Sequence, residues 1–179
     1  MKKTLLAALA IIGLCLSLPV AAEWTPDSNN KLELNVQRAM IDALEKDPGL
    51  QAWMDSAAGY AVFPTVGKGG IGIGGAHGKG IVIQGDTTLG DTSLSQITVG
   101  FQLGGQTYTQ FIFFKDDVAL QSFTRGEFEL GAQASAVALT AGASADAAYS
   151  KGVAVFTIAK GGLMYEATLA GQKFKYDGR

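Results

Sequence analysis

The sequence predicts an α+β domain in which two N-terminal helices pack on a strongly curved, mostly antiparallel, glycine-rich sheet or partial barrel. Three observations carry this. Apolar residues recur at helical spacing up to about residue 58 and alternate with period two beyond it. Fourteen glycines fall between Gly59 and Gly105. Turn clusters such as "QGDTTLGDTS" punctuate the alternating segments.

The chain begins with Lys2 and Lys3, runs apolar from Leu5 to Leu18 and continues Pro19-Val20-Ala21-Ala22, the pattern of a secretory signal peptide over residues 1–22. The apolar run is shorter than the roughly twenty residues that span a bilayer. Cys15 lies inside it behind the bulky Leu14, which argues against a lipid anchor. Cleavage after Ala22 leaves 157 residues without cysteine, so an exported chain must be held by its core and not by disulfides. The mature chain carries 12 basic and 16 acidic side chains. No overall basic field draws it to nucleic acid, and attraction to an anionic surface has to come from a local patch.

Residues 23–29 read as a short linker and residues 30–179 as one domain. Between Asn30 and Lys46 the residues Leu32, Val36, Ala39, Met40, Ala43 and Leu44 form a helical stripe, Asn30 with Glu33 resembles a capping box, and Asp47-Pro48 stops the run. A second helix starts with Asp47 as cap, carries Leu50, Trp53, Met54 and Ala57 on one face, and ends at Gly59. Both stripes are expected to pack on a sheet.

Strands follow at Ile71/Ile73, Ile81–Ile83, Ile97/Val99/Phe101/Leu103, Thr107 to Phe113 and Val153/Val155. "KDDVALQSF" interrupts them with a short helix near 116–124, capped by Asp116 or Asp117. The Ala, Gly and Ser run from Glu127 to Ser150 is expected to form strands in a narrow space, because it has little side chain to fill a wide one. "AHGKG" is expected at a hairpin tip.

Gly70, Gly72 and Gly75 satisfy G-x-G-x-x-G, but more strand follows where the nucleotide fingerprint needs a helix, and Lys79 precedes glycine where a P-loop needs Ser or Thr. The glycines are therefore architectural, baring one face of a strand for curvature or close approach. Lys-Gly recurs at Lys68, Lys79, Lys151 and Lys160, each time before an apolar segment. If those positions share one end of the sheet, their ammonium groups form an anion site. His77 and Arg125 join them as candidate contacts.

His77 is the one histidine, the mature chain has no cysteine, and no G-x-S-x-G elbow occurs, so no metal site, cofactor or catalytic residue is predicted. Glu127 and Glu129, two apart on a strand, cannot flank a glycosidic bond from opposite sides.

The segments "AAGYAVFPTVGKGGIGIGGAHGKGIVI", "ITVGFQLGGQTYTQFIFF", "ELGAQASAVA" and "SKGVAVFTIAKGGLMYEATLAG" resemble, in order, successive blocks of the SYLF domain family. The resemblance covers nearly the whole mature chain. It implies lipid binding, as described for exported bacterial members; the family's eukaryotic members are phosphoinositide-binding, actin-regulating modules. In the family, membrane binding goes with an amphipathic N-terminal segment and a basic surface, which match Leu32 to Leu44 and the neighbourhood of Lys68 and Lys79 here. The expected protein is thus a non-enzymatic, periplasmic, membrane-peripheral binder of anionic phospholipid through a local basic patch. Two alternatives remain. One is an envelope-structural module with an envelope protein as partner, using the polar strand faces of Gln102, Gln106, Thr107 and Thr109. The other is a carrier lined by Phe101, Phe111, Phe113, Phe114 and Phe156.

Overall fold

The computed structural model describes residues 24–100, 105–131, 135–161 and 169–179. The predicted signal peptide, Phe101, Gln102 and Leu103 lie outside them.

Helix α1 is Lys31–Lys46, with the Asn30 side chain accepting the backbone N–H groups of Leu32 at 3.0 Å and Glu33 at 3.3 Å. Glu33 does not close the box on the Asn30 backbone. Its buried carboxylate accepts the Asp27 N–H at 2.7 Å and pairs with Arg179, which also reaches Asp91 on the sheet. Helix α2, Leu50–Ser56, is shorter than predicted. Asp47 is the junction between the helices: its carboxylate accepts the N–H groups of Gly49 at 3.0 Å and Ser144 at 2.7 Å. Burial pushes this carboxyl up, but those hydrogen bonds outweigh it and hold it below the usual range.

The strands are β1 Gly59–Gln84, β2 Thr87–Gly100, β3 Gly105–Phe114, β4 Glu129–Leu130, β5 Val137–Ala138, β6 Val153–Gly161 and β7 Gln172–Gly178. They form one sheet in the order β4-β7-β2-β1-β3-β6-β5, antiparallel except for β5 with β6. The long β1 folds back on itself. Its Gly59–Gly69 arm pairs with β3 and its Gly72–Gln84 arm with β2, and a side chain on Gly80 would run into the Val62 carbonyl of the other arm. At the bend Gly70 has φ +156°, and a Cβ there would collide with Gly74, so glycine is required. The tip is therefore at Gly70–Gly74. The expected tip "AHGKG" is mid-strand instead, because Gly78 and Gly80 serve close packing between the arms and not a turn.

The sheet curls into a half-barrel. Strands β3 and β7 stand about 19 Å apart along the sheet at the usual inter-strand spacing, yet Gln110 on β3 and Gln172 on β7 hydrogen-bond at 2.9 Å. Their face is consequently the concave one. It holds Phe63, Ile112, Phe114, Phe123 and Phe174 against helix α3, Asp117–Thr124, which Asp116 caps through the Ala119 N–H at 2.9 Å. The convex face holds Tyr60, Val62, Ile81, Ile83, Phe111, Phe113 and Phe156 under α1 and α2.

The Ala-rich run departs from expectation. Of its described residues only β4 and β5, two residues each, are strand, and Ala143–Asp146 is a 3-10 turn. Small residues give a strand little to bury, so the segment is held by point contacts instead, such as Trp53 Nε1 donating to the Ser144 carbonyl at 3.2 Å.

Candidate functional site

The helices cover only part of the convex face. Toward the β1 tip the same face is bare, and there Ile73 is 71% and Ile97 82% exposed. Register makes them neighbours: Ile73 pairs with Val99, two residues from Ile97, which itself pairs with Gly75. Alternation places His77 and Lys79 on this face behind Ile73. His77 pairs with Ser95 and Lys79 with Ser93; across β2, Ser95 pairs with Lys173 and Ser93 with Lys175. Two cross-strand rows thus bring together His77, Lys79, Lys173 and Lys175, all exposed, and Lys79 and Lys175 line one shallow groove with Ser93 and Asp177. Glu129 on β4 stands opposite Lys173.

Of the predicted contacts, only His77 and Lys79 are brought together. Lys151 sits in the turn before β6 with φ +51°, at the opposite end of the sheet from the β1 tip. Lys160 lies near the end of β6 in a groove it shares with Asp42 and Glu45 of α1. Arg125 follows α3 and donates to Gln121 Oε1 at 3.3 Å. The four Lys-Gly lysines do not share an end. Lys173 and Lys175 went unread in the sequence, although Lys173-Phe174-Lys175-Tyr176 carries the period-two alternation that would have found them.

Lys68 is separate from all of these. It follows Val66 on the concave side, pairs with Gln106 and is 8% exposed. Among the described residues its ammonium has no ion pair and no hydrogen-bond acceptor. Burial pushes its pKa down. One tier deeper, Gln172 Nε2 donates to Tyr108 Oη at 3.3 Å and to Gln110 Oε1 at 3.2 Å, bridging the trough. Burial also pushes the Tyr108 hydroxyl up to about 12, against the opposing effect of its bond from Gln172.

The aromatic residues proposed for a carrier do not share an interior. Phe111, Phe113 and Phe156 pack beneath the helices, whereas Phe114 faces the trough, where its ring lies 4.9 Å from that of Phe123. Glu127 and Glu129 are exposed. Among the described residues no three His, Cys, Asp or Glu side chains gather as a metal site would require.

Residues 95–178 match the family described as "Ysc84: Las17-binding protein actin regulator", the SYLF domain. The chain is also similar to "Beta cell expansion factor A" of Aeromonas veronii, at 28% identity over 141 residues, 78% of this chain and 53% of that protein. It spans about half the length of that relative, and the aligned stretch is longer than the family match.

Proposed function

We propose, for a chain whose residues 95–178 belong to the SYLF (Ysc84) family, that the protein is a non-enzymatic binder of anionic membrane surfaces, docking through the bare part of its convex face. The observation that carries this is Ile73 beside Ile97, two large aliphatic side chains exposed together on adjoining strands. Strand residues rise about 3.4 Å each. When the two isoleucines enter the boundary of the acyl region, His77 and Lys79 lie about 13 and 20 Å back along the tilted strand, in reach of the headgroups. Lys173 and Lys175 widen the same basic row. Each lysine near an anionic leaflet contributes about 1 kcal/mol, which lets a globally acidic chain bind locally. The apolar stripe of α1 is occupied by the sheet, with Val36 and Ala43 fully buried, so the amphipathic helix is scaffold in this account. Export by the signal peptide would put this surface in the periplasm, peripheral to a membrane.

The test is flotation of the mature chain with phosphatidylcholine and phosphatidylglycerol vesicles at low and high salt. Capture by the anionic vesicles, weakened by salt, is the expected result. Absence of capture by either vesicle contradicts the proposal and moves the function to a protein partner.

A further inference from the structure

We propose that the chain associates with further copies of itself head to tail, the exposed Ile73 and Ile97 of one molecule seating in a groove between α1 and α2 of the next. The contact goes beyond the surface function above and does not depend on it.

The groove holds about 230 Å³, several times the roughly 30 Å³ share of one water molecule in the liquid. Trp24 and Tyr60, both buried, line its inner side. Met40, Ile41 and Leu44 of α1 and Met54 of α2 form its walls, and Ile41 is 51% exposed. The Trp24 indole N–H is already donated to Thr88 Oγ1 at 3.0 Å, so the groove presents the ring and not its donor. Two methionines in the walls let it adapt to the shape it receives. Asp55 is the one charged residue among the described residues lining it, and the Gln51 amide donates to its Oδ1 at 2.8 Å.

The chain itself carries a surface that fits. Ile73 and Ile97 stand out together at the β1 tip, backed by His77, Lys79, Lys173 and Lys175. An apolar pair with a basic row behind it meets an apolar groove that holds a carboxylate and no basic side chain, so both hydrophobic cover and charge agree. The two surfaces cannot meet within one molecule. Helix α1 crosses the convex face, with Leu32 near its start beside Lys175 of β7 and Lys46 at its end beside Lys160 of β6, on opposite flanks of the sheet. The groove lies on the side of Gly85, in the turn between β1 and β2, and the isoleucines lie on the side of the tip. From Ile73 to Gly85 the strand rises about 40 Å. Two different patches so placed make a heterologous contact, which closes into a ring or continues as an open row of copies. One consequence does rest on the membrane reading: the same isoleucines then serve either a bilayer or a neighbour, and association in solution covers the docking surface.

The test is sedimentation velocity of residues 23–179 without lipid, from about 10 μM to 1 mM, the range of a weak contact. The weight-average sedimentation coefficient is expected to rise across the series without levelling at a dimer. Ile73→Ser with Ile97→Ser keeps only the groove, and Ile41→Gln with Met54→Gln keeps only the isoleucine pair; each is expected to stay monomeric. Mixed one to one, the two variants are expected to form a heterodimer and nothing larger, because each supplies the surface that the other lacks. Ile41→Gln alone changes one exposed side chain, so folding is spared, and it is expected to weaken association about fivefold. A wild type that stays monomeric throughout overturns the proposal. So does Ile41→Gln with wild-type association, which tip-to-tip pairing would give, or a mixture that stays monomeric while both variants keep the wild-type Tm. Flotation separates the two proposals: at low protein concentration Ile41→Gln is expected to float with anionic vesicles as the wild type does, whatever sedimentation shows.

Discussion

One arm of β1 carries the same side chain to two fates. Ile81 and Ile83 are fully buried beneath α1 and α2, while Ile73, on the same face of the same strand, is 71% exposed and meets Ile97 at 82%. The chemistry is identical and the cover is not. Where the helices lie, isoleucine contributes to folding; where they stop, it contributes nothing to the core, and the exposed pair is left to meet another apolar phase.

Substitutions ought to separate the two halves cleanly. Phe113→Ala, which removes a ring 5.6 Å from Phe156 and 5.9 Å from Trp53 under the helices, is expected to cost about 3–5 kcal/mol in denaturant unfolding. The fraction still folded should float with vesicles as before; loss of binding at unchanged stability would break the division. Next in size, Asp47→Ala strands the N–H groups of Gly49 and Ser144 and should cost about 1–3 kcal/mol. Because the folded carboxyl sits below its ordinary value, its contribution is present above about pH 4 and is lost as pH falls through the folded value. Acid titration of the variant should consequently be flatter than that of the wild type below pH 4.

Ile73→Ser with Ile97→Ser is expected to change stability by less than about 0.5 kcal/mol and to weaken capture by anionic vesicles tenfold or more, since each aliphatic side chain transferred from water contributes about 1.5–3 kcal/mol. A smaller effect is expected from Lys175→Gln, about fivefold, with a shallower dependence on salt. If Lys175→Gln matched the double isoleucine variant, charge and not insertion would dominate the contact.

The helix stripes, their Asn30 and Asp116 caps and the antiparallel strands were legible because each is a local pattern. The trough was not. Lys68 and Lys79 read alike, as lysine before glycine, and only the fold of β1 back on itself sends one into the concave face and the other to solvent. The predicted gathering of Lys151 and Lys160 failed for the same reason, since a dipeptide carries no register. Lys173 and Lys175 become site residues only because β7 pairs with β2, a contact about eighty residues away in sequence.

The most direct test of the division uses single-cysteine variants of residues 23–179, a stretch that contains no cysteine of its own. An environment-sensitive fluorophore is placed at Ile97→Cys or at Ile41→Cys, the latter on α1 and 51% exposed, and emission is followed on adding phosphatidylglycerol vesicles. A blue shift at position 97 with none at position 41 is the predicted result. A shift at position 41 with none at position 97 would contradict it and return the membrane contact to the helix.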